Sequence, residues 1–146
     1  MALVLGREVQ GMSRPIKFRA WHKADKKIYQ VTGFTQKHWL LRGKGFPMPP
    51  SAIEVMQYTG LTDRNGKEIY EGDIVRFLDA YSYGETGDWD ECVCTGKIEW
   101  DNLLAQFYVT NRESMSNDDF WEQCGEECEV IGNIYEHPHL LKGDSE

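Results

Sequence analysis

The chain has 146 residues, 40% of them hydrophobic and 12% aromatic, which suits one domain and excludes a disordered chain. No apolar run approaches the ~20 residues of a membrane helix, which excludes a helical membrane protein. The net charge of −8 is unevenly spread: residues 1–50 hold ten Lys or Arg against two acids (+8), and residues 51–146 hold six against 22 (−16).

Residues 1–14 read as an extra N-terminal arm, disordered or frayed. The apolar stretch Ala2 to Leu5 is too short for a signal-peptide core, and Met12 stands just before the first patterned strand. Ile16 to Trp21 alternates, with Ile16, Phe18 and Ala20 on one face and Lys17, Arg19 and Trp21 on the other. That is a half-buried strand. His22 to Lys27 is a polar turn and Ile28 to Val31 resumes the strand, so 16–31 reads as a hairpin. Residues 33–41 are ambiguous. The glycines and prolines of 42–51 make a long loop.

Ile53 to Tyr58 is a further strand. Asp63-Arg-Asn-Gly66 is a tight turn, since Asn-Gly accepts positive φ. Tyr70 to Asp73 turns again and leads into the strand Ile74 to Leu78. Residues 79–91 are acidic and glycine-bearing and read as a mobile hairpin loop. Val93 to Trp100 is a strand with a plausible bulge at Gly96. Asp101-Asn102 turns the chain, and Ala105 to Thr110 pairs back on it. Ser116 to Glu122 has an N-cap and early acids, which permits a short helix. Glu129 to Tyr135 is the last strand, residues 137–141 suit a terminal helical turn, and 142–146 form a polar tail. Six to eight short strands without a long helix favour a coiled sheet or a small barrel.

Cys92, Cys94, Cys124 and Cys128 should be reduced thiols of a cytoplasmic protein. Four thiolates suit tetrahedral Zn²⁺, but Cys-x-Cys followed by Cys-x-x-x-Cys departs from the usual Cys-x-x-Cys knuckles. The expectation is no metal and no cofactor, with the cysteines at strand or loop positions that suit exposure.

Three segments carry a family resemblance. Ile16-Lys-Phe-Arg-Ala-Trp21 opens it, the run from Val55 to Val75 (VMQYTGLTDRNGKEIYEGDIV) is its centre, and Glu129-Val-Ile-Gly-Asn-Ile-Tyr-Glu136 closes it. Together they resemble the YopX family of small phage and prophage proteins, over a single domain at 15–141. The resemblance implies a mainly β fold: a strongly coiled antiparallel sheet with a small SH3-like barrel region and at most short helices. It implies no catalytic residue. His22 and His137-Pro-His139 depart from the family pattern, so the histidines are poor candidates for a shared site.

The central motif reads first as architecture. Gly60, Gly66 and Gly72 punctuate bends, Asn65 precedes a turn glycine, and Asp63 and Asp73 can accept backbone hydrogen bonds. The Glu71 to Val75 run also resembles a turn of nucleic-acid-binding SH3-like barrels, an analogy of fold alone. A basic and aromatic set, Lys17, Arg19, Trp21, Lys23, Lys26, Lys27 and Trp39, with His22, Tyr29, Lys37, Arg42 and Lys44 in the same stretch, could contact phosphates and stack on bases. The alternative is a solvated basic face with Trp21 packed on a neighbour. Walker, His-Glu-x-x-His and nucleophile-elbow motifs are missing. Carboxylate pairs such as Asp88 with Asp90 or Asp118 with Asp119 arise easily in so acidic a chain. The expected function is a non-catalytic phage or prophage accessory protein that self-associates or meets a phage or host protein. The alternative is a nucleic-acid-binding module, and a remote one is a metal-dependent hydrolase.

Overall fold

The computed structural model describes residues 15–83, 88–110 and 128–141. The expected arm at 1–14, the helix at 116–122 and the tail at 142–146 lie outside the described residues. Among those described, nine strands form: β1 Phe18–His22, β2 Lys27–Phe34, β3 Trp39–Leu41, β4 Ile53–Thr62, β5 Glu68–Tyr70, β6 Asp73–Tyr83, β7 Asp88–Asp101, β8 Gln106–Thr110 and β9 Glu129–Asn133. Among the described residues, helix is confined to short 3-10 turns at Pro50–Ala52 and Pro138–Leu141. The protein is therefore mainly β, but its strands divide into two open antiparallel sheets, ordered β3-β2-β1-β4-β5 and β8-β7-β6-β9.

Alternation explains the first sheet. Ala20 and His22 are buried on one face of β1, opposite Tyr29 on β2 and Val55 and Ile53 on β4. The β1–β2 turn is built locally: the Asp25 N–H donates to His22 Nδ1 at 3.0 Å, and Lys26 takes a positive φ of 54°. The ambiguous residues 33–41 resolve into the end of β2, a turn and β3, which pairs back on β2 through Phe34↔Trp39. The loop after β3 folds over this face. Trp39 and Met48 exchange backbone hydrogen bonds at 2.8 and 2.7 Å, and Met48 joins Ala20, Leu41 and Ile53 in a buried cluster.

The second sheet corrects two expectations. The acidic segment 79–91 is not a loop down its length. β6 and β7 stay in unbroken register from Ile74↔Lys97 to Tyr83↔Asp88, because tyrosine and tryptophan suit strands and ladder hydrogen bonds do not depend on side-chain charge. Gly96 is not a bulge; it pairs regularly with Val75. Its role is steric: a Cβ there would lie 2.6 Å from the Thr110 carbonyl oxygen.

The second sheet buries Val75, Phe77, Ile98, Phe107, Val109 and Val130, together with Ile69 from β5. Cys94 and Cys128 belong to this core. The expectation of exposed cysteines is overturned for these two, because alternation along β7 turns Cys94 to the same side as Ile98. Cys124 lies outside the described residues, as does the side chain of Cys92. A third cluster, Met56, Tyr58 and Tyr70 with Trp21, Ile28 and Tyr135, sits where the sheets meet.

Candidate functional site

The face of β1 that carries Arg19 and Trp21, with Lys17 just ahead of the strand, is the joint between the sheets. Arg19 pairs with Asp73 at the start of β6, and its guanidinium lies over the Tyr70 ring, 4.5 Å from the centroid. Trp21 stacks on Tyr135, with centroids 5.7 Å apart and planes 16° apart. Lys17 pairs with Glu68, and Lys23 lies 3.4 Å from Glu54. Three of the expected nucleic-acid contacts (Lys17, Arg19 and Lys23) are thus joined to acids from the second half of the chain. The charge split is in this measure satisfied within one molecule. Lys26 and Lys27 are exposed on and beside the first hairpin turn, away from that joint. Trp39 is half-buried against Phe34 and Phe18, at 5.2 and 5.8 Å.

The central motif forms the other side of the joint. Gly60, Gly66 and Gly72 have φ of 92°, 83° and 86°, a region glycine enters at little cost. Asp63 Oδ1 accepts from the N–H groups of Asn65 and Lys67, both at 2.9 Å. Its Oδ2 accepts from Val130 N–H at 2.9 Å. One carboxylate therefore closes its own turn and ties it to β9. Burial pushes Asp63 up, but these donors outweigh it and hold the carboxyl below its ordinary range. Asp73 accepts from Tyr70 N–H at 2.8 Å as well as from Arg19. Burial dominates there and raises the carboxyl, with Arg19 offsetting part of the shift. These are structural assignments for polar groups that could have served chemistry.

His22 accepts from Asp25 N–H, and Asp25 is held down to about 2 by Lys44 and the Tyr29 hydroxyl. On the second sheet, Glu99 accepts from Tyr108, Thr110 and Lys97. Burial raises Glu99, but those three donors lower it on balance. No group of three or more His, Cys, Asp or Glu that could hold a metal ion occurs among the described residues. The Asp118–Asp119 pair lies outside the described residues, and so do the Asp88 and Asp90 side chains.

Two exposed features escaped the sequence reading. Phe34 and Phe46 are 62% and 64% exposed near the β2–β3 edge. At the β7–β8 turn, Leu103 is 95% and Leu104 67% exposed. Asp101 Oδ1 accepts from both their N–H groups, at 2.8 and 3.2 Å, and Ala105 completes the turn with φ 53°. The signal for this turn was Asp101-Asn102, which marked where the chain reverses but not what it presents.

Fold and site together define a small all-β scaffold of two joined sheets, with polar groups committed to turns and to the joint. The model of the YopX protein family matches residues 17–142, and the chain belongs to that family. The crystal structure of protein EF1440 from Enterococcus faecalis is similar to it, with a TM-score of 0.55 at 23% identity over 88% of this chain and 99% of that one. Identity that low carries the fold alone. No curated protein matches the chain. No described helix is long and apolar enough to cross a membrane.

Proposed function

We propose that the chain is a non-catalytic phage or prophage accessory protein of the bacterial cytoplasm that works by binding and self-associates. The observation that carries self-association is the β7–β8 tip. Asp101 fixes a turn that holds Leu103 and Leu104 out in water, beside a partly exposed Trp100 packed edge-on against Phe107. Two adjacent leucines on a built turn are costly in water and gain by burial, at about 25 cal/mol per Å² of apolar surface. A second copy offers the same patch, and a two-fold contact buries both at once. The phage setting rests on the family, and the non-catalytic reading on the structural work done by Asp63, Asp73 and His22.

The finer fold is part of this proposal. The β4–β5 hairpin caps the second sheet as a small SH3-like barrel region within a coiled whole. Its support is the bond from Arg64 N–H to the Cys128 carbonyl at 2.9 Å and from Gly72 N–H to that of Ile98 at 2.9 Å.

Light scattering on the eluting protein tests the assembly. The native chain should show more than one copy per particle, and Leu103→Glu with Leu104→Glu should show one. A native protein that stays monomeric at every concentration overturns the proposal.

A further inference from the structure

Between Asp25 and Glu54 the chain has no acid. Residues 26–53 hold Lys26, Lys27, Lys37, Arg42 and Lys44 and not one of the 24 Asp and Glu. The fold makes this window one unit, the β2–β3 hairpin with the loop that closes over its face. Lys44 is paired with Asp25. Lys26, Lys27, Lys37 and Arg42 are exposed and have no ion-pair partner among the described residues.

The same unit presents flat apolar rings. Phe34 stands opposite Trp39 across the hairpin, the rings tilted by 39°, with Phe18 edge-on behind both. The turn between them is fixed: Thr35 N–H donates to the His38 carbonyl at 2.8 Å, and Thr35 Oγ1 accepts from the N–H groups of Lys37 and His38. Phe34 is therefore exposed on a rigid element, not on a chain end. Phe46 is exposed on the covering loop, two residues before the buried Met48.

We propose that the β2–β3 edge binds single-stranded nucleic acid, with Phe34 and Phe46 as stacking rings, Trp39 backing Phe34, and Lys27, Lys37 and Arg42 as phosphate contacts. Charge complementarity points to a polyanion, since this segment contributes basic residues and no acid to an acidic protein. The exposed rings choose among polyanions, because an unpaired base offers a π-face and a duplex keeps its bases stacked inside. The site is distinct from the Lys17, Arg19 and Trp21 face, which the joint between the sheets occupies. It is independent of self-association through the β7–β8 tip.

Fluorescence anisotropy with a labelled oligo-dT of about 15 nucleotides and a duplex of the same length tests the proposal. The single strand should bind with micromolar affinity at low salt and more tightly than the duplex. Three phosphate contacts give a log–log salt slope of roughly −2. Lys37→Glu with Arg42→Glu should abolish binding, and Phe34→Ala should weaken it by roughly tenfold. Circular dichroism should show these variants folded, because the changed side chains are exposed. Arg76→Glu, an exposed charge change on the second sheet, should leave affinity unchanged. Absence of binding at low salt overturns the proposal. So does a preference for the duplex, or an equal loss with Arg76→Glu.

Discussion

The guanidinium of Arg19 on β1 pairs with the carboxylate of Asp73 on β6, a residue 54 positions later, and this pair bridges the two sheets. Asp73 is almost wholly buried and also holds the Tyr70 N–H. Removing its partner leaves a buried charge uncompensated, which costs about 3–5 kcal/mol. Arg19→Ala should lower the free energy of unfolding by that amount in urea. Arg19→Met with Asp73→Asn should lose less than the sum of the single changes, since the pair acts as a unit. Additive losses would show that Arg19 and Asp73 do not work together.

The glycines divide by what surrounds them. Gly66 has φ 83° and open space where a Cβ would stand, so Gly66→Ala should cost only the left-handed strain, about 1 kcal/mol. Gly72 has φ 86° and would set a Cβ 3.2 Å from Met56 Sδ. Gly96→Ala meets backbone at 2.6 Å, which cannot rotate away. Thermal melts should rank Gly66→Ala as mildest, with Gly72→Ala and Gly96→Ala lower. A Gly96→Ala variant as stable as Gly66→Ala would contradict the close approach of β7 and β8.

Local pattern made the hairpins legible. The alternation of Phe18 and Ala20 and the Asp63–Gly66 turn are read from neighbours in sequence. Ile16, expected on the same face, is instead exposed ahead of β1, and His22, expected in the turn, is buried at the end of the strand. What alternation left open is which face of a strand meets water. Lys17, Arg19 and Trp21 share one face by alternation, yet their partners Glu68, Asp73 and Tyr135 come from distant elements that no local pattern names. Charge misled in the same way at 79–91, where acids obscured a strand held by its backbone. Phe34 and Leu103 look like core residues in sequence. Their exposure follows from a hairpin edge and a turn tip, which only the assembled fold defines.

Cys94 and Cys128 lie in the core of the second sheet, shielded from water. Serine is close in size but brings a hydroxyl that must be desolvated, at about 1–3 kcal/mol when poorly paired. Cys94→Ser and Cys128→Ser should each lower the melting temperature by several degrees, and Cys94→Ala should create a smaller loss than Cys94→Ser. Wild-type melting in both serine variants would place these side chains in contact with solvent, against the structure.

Asp63 gives the fold a defined acid limit. Its carboxylate satisfies three backbone N–H groups, from Asn65, Lys67 and Val130, which hold its titration below the ordinary value despite burial. A carboxyl lowered in the folded state contributes stability above its unfolded value, about 3.9, and that contribution is lost as pH falls through the folded value. Asp73 has the opposite sign: burial raises it, so its contribution is present at low pH and is lost as pH rises through its folded value. The acid limb below about pH 4 should therefore report Asp63 together with Asp25 and Glu99, which are shifted the same way. Asp63→Asn turns an amide N–H₂ toward one of the three donors, so it should be less stable at neutral pH. It should also lose less stability than the native chain between about pH 4 and pH 3. Urea melts of both proteins across that range make the comparison. An unchanged acid limb in Asp63→Asn would mean that the turn and β9 are not held by this carboxylate.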